Sequence, residues 1–111
     1  MKKVEDYLEG HYQEKITLAN LSKELYISAN YLGRVIRKNT GSHFTELLNK
    51  FRIGKAMELA LNTRLKTYEI AFAVGYSNYK YFSLYFLKYT GRSVRDYRIS
   101  CPGNKTDRPV Q

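Results

Sequence analysis

Apolar residues recur at intervals of three and four along almost the whole chain, and no segment of useful length alternates apolar and polar positions. Helical spacing of this kind predicts amphipathic α-helices, whereas strict alternation would predict half-buried strands. Residues that cap helices and glycines that end them divide the pattern into about seven segments. We therefore expect an all-α protein of about seven helices.

The segment boundaries follow from residues that favour helix ends. Serine, threonine and asparagine accept hydrogen bonds from the free N–H groups of a first turn, and glycine adopts the left-handed conformation that closes a last one. The first helix should end near Gln13. Ser42 should start a long fourth helix through about Leu61, in which Gly54 marks a close helix contact or a slight bend. Caps are expected at Thr17, Ser28, Thr67, Ser77 or Asn78, and Ser93, and ends at Gly41, Gly75 and Gly91.

A stretch of roughly fifty residues occurs twice within this pattern. Leu21 and Ile70 correspond at an offset of 49, and Tyr31 and Tyr81 at an offset of 50, so the extra residue falls in the turn between two helices. Each copy has a small residue where two helices cross, a sharp turn, and a second helix that is apolar inside and polar outside. One copy could be an ordinary helical hairpin. Two copies that both end in Lys-x-Thr-Gly favour a pair of helix-turn-helix units.

The inner faces of the two second helices hold most of the large apolar side chains. Helical spacing directs Leu32 and Ile36 in one helix, and Phe82 and Phe86 in the other, toward a core. Five of the eleven tyrosines also fall at inner positions, which favours a core role for them over stacking on single-stranded nucleic acid. These tyrosines are Tyr31, Tyr81, Tyr85, Tyr89 and Tyr97.

The charge is unevenly distributed along the chain. The formal net charge is +9. Residues 1–27 carry four lysines against five acidic residues, and residues 28–111 carry fifteen basic against five acidic residues. The basic excess therefore begins at Ser28, at the start of the second helix of the first repeat, which is the first candidate recognition helix for a polyanionic partner. A basic domain favours a polyanionic partner, although a merely solvated basic surface is the alternative.

Residues that perform chemistry are scarce. Cys101 is the only cysteine, so the chain has no disulfide framework, and His11 and His43 have no partner at metal-ligand spacing. Paired carboxylates and an activated nucleophile are also missing. No apolar run is long enough to cross a membrane, and no signal peptide is visible. We therefore expect a cytoplasmic protein that is not an enzyme and needs no metal or cofactor.

Motifs in both copies carry a family resemblance. The second copy contains Ile70-Ala71, Val74-Gly75-Tyr76-Ser77, Tyr81-Phe82-Ser83, Phe86, Lys88-Tyr89-Thr90-Gly91 and Tyr97-Arg98. The first adds Ser28, Tyr31-Leu32, Arg34, Gly41, Phe44, Arg52 and Ala56. With these motifs, Thr17 to Ile99 resembles the DNA-binding domain of AraC/XylS-type transcription regulators, and Tyr-Leu-Gly resembles members fused behind a receiver domain. The resemblance implies two helix-turn-helix subdomains joined by one long helix, which bind DNA as transcription regulators, commonly activators.

Three departures from the family pattern concern the predicted DNA contacts and the last helix. Leu84 and Leu87 stand where the family often has basic residues. Gly33 offers no side chain at a position that often contacts bases. Ser93-Val94 replaces the usual Thr-Pro, but serine still caps a helix.

The domain boundaries predicted from these features are 1–14 for an N-terminal helix, 15–41 for the first helix-turn-helix, 42–62 for the linker helix, 63–100 for the second helix-turn-helix with the last helix, and 101–111 for a disordered tail. A linker of about 20 residues is roughly 30 Å long. Successive major-groove faces of DNA lie roughly 34 Å apart. One monomer can therefore place two recognition helices in adjacent major grooves and cover about two turns.

Outward positions on the recognition helices supply the candidate DNA contacts. Asn30 can bond adenine edges and Arg34 guanine edges. Leu84 can touch a thymine methyl or pack against the neighbouring helix. The predicted base contacts are Asn30, Gly33, Arg34, Tyr79, Lys80, Ser83 and Leu84. The predicted phosphate contacts, aided by helix N-termini, are Ser28, Tyr31, Arg37, Lys38, Ser42, Ser77, Lys88 and Arg92.

The function predicted from the sequence is sequence-specific binding of double-stranded DNA in transcription regulation, as an activator, with RNA polymerase as a further partner. The alternative is a basic helical protein-interaction module that docks on the transcription machinery. Duplex binding with sequence preference at moderate salt distinguishes the two. The domain itself should be monomeric, and the full-length protein can dimerise through a domain not present in this segment.

Overall fold

Residues 2–100 are described by a computed structural model, and their regular structure is entirely helical. The seven helices are α1 (Lys2–His11), α2 (Leu18–Leu25), α3 (Ala29–Thr40), α4 (Phe44–Asn62), α5 (Thr67–Ala73), α6 (Tyr79–Thr90) and α7 (Val94–Ser100). The prediction of an all-α fold is confirmed. The predicted disordered tail, 101–111, lies outside the described residues.

The described residues form two compact units, and the division between them falls at Arg52 and Ile53, inside α4. The first unit contains α1 to α3 with the beginning of α4. The second contains the end of α4 with α5 to α7. Within the units, α2 packs on α3 and α5 packs on α6. Each unit therefore contains one pair of helices from the sequence repeat.

The first unit has a core built from one stripe of each helix. Val4 and Leu8 are one turn apart on α1, and Leu32 and Ile36 are one turn apart on α3, as the spacing of apolar residues predicts. Burial of such side chains stabilises a fold by roughly 1.5–3 kcal/mol each. The buried cluster consists of Val4, Leu8, Ile16, Leu21, Leu32, Ile36, Phe44 and Leu48.

The second unit has an aromatic core. Phe82 and Phe86 are fully buried on the inner face of α6, with ring centroids 5.8 Å apart, and the Phe86 ring meets Tyr97 edge-on at 5.5 Å. Tyr76, in the turn before α6, is 7% exposed and packs against Phe82 at 5.6 Å. The remaining buried apolar residues of this unit are Ile53, Ala56, Ala60, Ile70, Ala71, Val74 and Val94.

Most predicted helix caps are present. Thr17 Oγ1 accepts a hydrogen bond from Asn20 N, and Asn20 Oδ1 accepts one from Thr17 N, both at 3.1 Å. Ser28 accepts from Tyr31 N at 3.1 Å. Four further ends follow the prediction: Asn78 caps α6, Ser93 accepts from Asp96 N, and Gly41 and Gly91 close α3 and α6 with φ of 75° and 78°.

Three details of the helix boundaries were predicted wrongly. Thr67 is the first residue of α5 and Lys66 is its cap, because Lys66 N donates to the Glu69 carboxylate at 2.7 Å. The first helix ends at His11, before Gln13, and the fourth begins at Phe44. Of the two expectations for Gly54, the close helix contact is absent, because a Cβ added there would meet nothing within 4 Å, and the slight bend stays a prediction.

Candidate nucleic-acid interface

The recognition helices α3 and α6 expose equivalent faces. Residues 31–38 and 81–88 have the same burial position by position. Leu32 and Ile36 are buried in α3, and Phe82 and Phe86 occupy the same places in α6. Because a helix repeats every 3.6 residues, burial of these pairs directs the intervening polar positions outward. Each unit thus holds one helix by its apolar stripe and leaves the opposite face open.

The outer face of α3 carries two of the predicted base contacts. Asn30 and Arg34 are exposed and lie four residues apart, so their side chains share one stripe. Gly33 is half-buried beside them, and a Cβ there would stand 3.4 Å from Leu18 Cδ2. The hollow at Gly33 also includes His43 and has a volume of about 260 Å³. This face therefore presents the amide of Asn30 and the guanidinium of Arg34 beside Gly33, where no side chain covers the backbone.

The outer face of α6 brings the other four predicted base contacts together. Tyr79, Lys80 and Leu84 are exposed and Ser83 is half-buried. Leu84 is 54% exposed, so its predicted alternative of packing against a neighbouring helix describes at most half of its surface. All four residues line a groove of about 500 Å³ that is completed by Thr67, Leu87, Ser93, Val94 and Arg95.

Most of the predicted phosphate contacts lie at the surface. Exposed residues of this set are Ser28, Tyr31, Arg37, Lys38, Ser77, Lys88 and Arg92. Arg37 Nη1 lies 2.5 Å from Nε2 of His43, so part of its donor capacity is directed at the imidazole. Lys88 Nζ stands 5.4 Å from the centre of the Tyr89 ring.

Ser42 does not fit its predicted role as a phosphate contact. Its side chain is only 4% exposed, and Lys50 Nζ lies 3.3 Å from its Oγ. Its main-chain N–H donates to Thr40 Oγ1 at 3.1 Å. A buried hydroxyl with these partners offers little surface to DNA, so we remove Ser42 from the candidate interface.

Two tyrosines were assigned wrongly to the core. Tyr31 is 53% exposed and Tyr81 is 57% exposed. Each immediately precedes a buried residue of its recognition helix, and one step along a helix rotates a side chain by about 100°. The other three tyrosines of that set, Tyr85, Tyr89 and Tyr97, are half-buried as predicted.

In each unit one arginine donates hydrogen bonds to main-chain carbonyls at a helix end or in a connector between helices. The sequence did not indicate this role. In the first unit, Arg52 Nε donates to the carbonyl of Tyr12 and its Nη2 donates to the carbonyl of Glu14, both at 2.7 Å. In the second unit, Arg98 Nε donates to the carbonyl of Ala60 at 2.9 Å and its Nη2 to that of Leu65 at 2.5 Å. These bonds satisfy carbonyls at helix ends and in connectors that have no helical partner.

Electrostatic shifts reflect packing in both units. Partial burial lowers the pKa of the Arg98 guanidinium, because desolvation disfavours its charged form. In the first unit, burial together with the charges of Glu24 and Glu14 raises the pKa of Tyr7.

None of the helices in residues 2–100 is long and apolar enough to cross a membrane.

Two helix-turn-helix units with open recognition helices, whose charged residues are all basic, define a DNA-binding protein. A family model described as a helix-turn-helix domain matches residues 21–100. The chain belongs to the AraC-type family of helix-turn-helix DNA-binding domains. The predicted family is thereby confirmed, and it supports the predicted role in DNA-binding transcription regulation.

Known proteins similar to the chain include transcription regulators. Transcriptional regulatory protein HptR of Staphylococcus aureus is 35% identical over 97 residues, which are 87% of this chain and 38% of that protein. The C-terminal domain of AraT, a response regulator from Geobacillus stearothermophilus, has a TM-score of 0.85 at 34% identity, over 98% of this chain and 91% of that one. The DNA-binding domain of AdpA, in complex with a target DNA, shares the fold at 23% identity, with a TM-score of 0.82 over 90% of each chain. The chain thus spans about 38% of HptR.

Proposed function

We propose that the chain recognises a specific double-stranded DNA sequence by placing α3 and α6 in adjacent major grooves. The observation that carries this proposal is the burial pattern shared by residues 31–38 and 81–88, which gives both helices the same open face. An α-helix fits the major groove, where every base pair presents a distinct pattern of donors, acceptors and methyl groups. Two such helices in one chain allow a monomer to bind an asymmetric site.

The proposed base contacts in the first unit are polar. Asn30 can bond both N6 and N7 of adenine, and Arg34 can bond both O6 and N7 of guanine. Their separation of four residues puts both side chains on one face of α3, so we assign them to neighbouring base pairs. Gly33 between them allows the helix backbone to approach the bases closely.

In the second unit we assign the base contacts to Tyr79, Lys80, Ser83 and Leu84, which line one groove. Phosphate contacts hold the two helices in register but do not distinguish sequences. We assign that role to the exposed residues Ser28, Tyr31, Arg37, Lys38, Ser77, Lys88 and Arg92. The net charge of +9 supports binding to a polyanion.

At the level of the cell, we propose a cytoplasmic activator that has RNA polymerase as a further partner. The DNA-binding domain acts as a monomer. These statements rest on the family of the chain and on its two recognition helices.

Selection of random duplexes on the purified chain tests the proposal directly. We expect enrichment of one asymmetric sequence about two turns long, and tighter binding of that duplex than of a scrambled duplex at moderate salt. The protein-interaction alternative predicts no enrichment and equal binding of both duplexes. That result would refute sequence-specific recognition.

A further inference from the structure

The two recognition helices differ in chemistry at equivalent positions. The offset of 50 that relates the repeats pairs Arg34 with Leu84 and Arg37 with Leu87. All four residues are exposed, and the two leucines are 54% and 52% exposed. The first helix therefore presents two guanidinium groups where the second presents two aliphatic side chains.

The two leucines belong to an apolar groove. Leu84 and Leu87 are three residues apart on one side of α6 and line the groove of about 500 Å³ together with Val94 at the start of α7. Its charged lining residues are Lys80 and Arg95, and no acidic residue appears among the lining residues of the described chain. The groove lining therefore combines apolar surface at Leu84, Leu87 and Val94 with positive charge only.

A thymine-bearing stretch of DNA matches this groove in both respects. The thymine C5 methyl is the apolar group that base pairs present in the major groove, and phosphates flank it on both strands. An amphipathic protein helix would match the leucines but would need acidic residues to match Lys80 and Arg95. Because α6 belongs to a DNA-binding unit, the positive charge of Lys80 and Arg95 favours the nucleic acid as occupant.

We propose that α6 recognises thymines by apolar contact of Leu84 and Leu87 with their C5 methyl groups, whereas α3 recognises bases by hydrogen bonds from Asn30 and Arg34. This inference rests on the proposed function. It predicts that the half of the DNA site under α6 contains thymines whose methyl groups contribute to affinity.

Replacement of thymine by deoxyuridine tests the proposal, because it removes the methyl and keeps every hydrogen-bonding group. Each thymine of the selected duplex is replaced in turn, and binding is measured by fluorescence anisotropy. We expect about a fourfold loss of affinity for each contacted methyl, as for one buried methylene. In the variant Leu84→Ala/Leu87→Ala, the same replacements should change affinity by less than about 1.5-fold.

A control variant, Ile99→Ala, removes a side chain of the same unit that is 69% exposed and does not line the groove. It should retain the methyl sensitivity of the unchanged protein. Thermal unfolding of both variants checks that they fold, and each replaced side chain is more than half exposed, so little stability should be lost.

The outcomes separate this inference from the proposed function. Loss of methyl sensitivity only in the double leucine variant supports it. If deoxyuridine changes nothing under α6 in a duplex that was selected with clear preference, thymine recognition is wrong while sequence-specific binding stands. If the double variant retains full methyl sensitivity, the leucines are not the contacts and the inference is overturned. If selection gives no preference at all, the proposed function itself fails.

Discussion

Residues at equivalent places in the two units pay different energetic costs for the same left-handed backbone conformation. Tyr26 has a φ of 59° at the end of α2, where the second unit has Gly75 with a φ of 106°. The left-handed conformation costs a residue with a Cβ roughly 1–2 kcal/mol, and glycine avoids that cost. Tyr26 is also 94% exposed, so packing of its ring does not offset the strain.

Replacement of Tyr26 by glycine should therefore stabilise the protein by up to about 1 kcal/mol, since the relief of strain is partly cancelled by the greater freedom of glycine in the unfolded chain. Urea denaturation measures the change. Tyr26→Ala is the matched control, because it removes the ring but keeps the Cβ, and it should give no gain. Equal stabilisation by both variants would show that the ring, rather than the backbone, was unfavourable.

At the interface, Arg34 and Lys88 should have separable roles. We expect Arg34→Ala to weaken the free energy of binding to the selected duplex by about 1–3 kcal/mol. It should also relax the base preference at one or two base pairs. Lys88→Ala should weaken binding to all duplexes alike and reduce the dependence of log K on log salt by about one.

Titration of both variants against selected and scrambled duplexes at several salt concentrations measures these effects. The assignment is reversed if Arg34→Ala weakens both duplexes equally while Lys88→Ala changes the preference. If neither replacement affects binding, these two helices do not contact DNA.

At the scale of helices, each recognition helix is held by two buried side chains one turn apart. Phe86 is fully buried between Phe82 and Tyr97. Its truncation would leave a cavity in a small core, where the surrounding side chains can relax only in part.

We expect Phe86→Ala to lower the free energy of unfolding by about 3–5 kcal/mol, which approaches the whole stability of a small domain. Phe72, which is 58% exposed in the same unit, provides a control: Phe72→Ala should change stability by no more than about 0.5 kcal/mol. Thermal unfolding compares the two. A small effect of Phe86→Ala would contradict the inner-face assignment.

The helices were largely predictable because their signals are local. Thr17, Ser28 and Gly41 act on residues within one turn, and the sequence placed them correctly. The positions of Tyr31 and Tyr81 were not predictable by the same means, because a neighbour of the buried stripe differs from a member of it by one step of rotation. The hydrogen bonds of Arg52 and Arg98 join residues far apart in sequence, and no local pattern reports such contacts.

At the scale of the whole molecule, the basic charge follows the recognition helices along the chain. Residues 28–111 contain fifteen of the nineteen basic residues and half of the ten acidic residues. Electrostatic steering of the protein toward DNA depends on this excess of basic residues. So does the release of counterions from DNA when the protein binds. The family was recognisable from the repeat and its motifs, whereas the DNA contacts of individual side chains remain predictions.

Because one chain contains two unlike recognition helices, we expect a complex of one protein with one asymmetric site of about two DNA turns. Sedimentation of the complex with the selected duplex measures the ratio. A duplex cut to the half recognised by one helix should bind much more weakly than the complete site. An obligate dimer on a palindrome would contradict the prediction, since each chain would then use a single helix.

The hydrogen bonds of Arg52 and Arg98 also bear on the order in which the chain folds. Arg52 reaches back 40 residues to Tyr12, and Arg98 reaches back 38 residues to Ala60. Closing a loop of that length is entropically costly, whereas the hairpins α2–α3 and α5–α6 bring together residues that are close in sequence. We therefore expect the hairpins to form first and the arginine bonds to form after the folding transition state. Contacts that form so late govern how long a folded protein persists more than how quickly it folds.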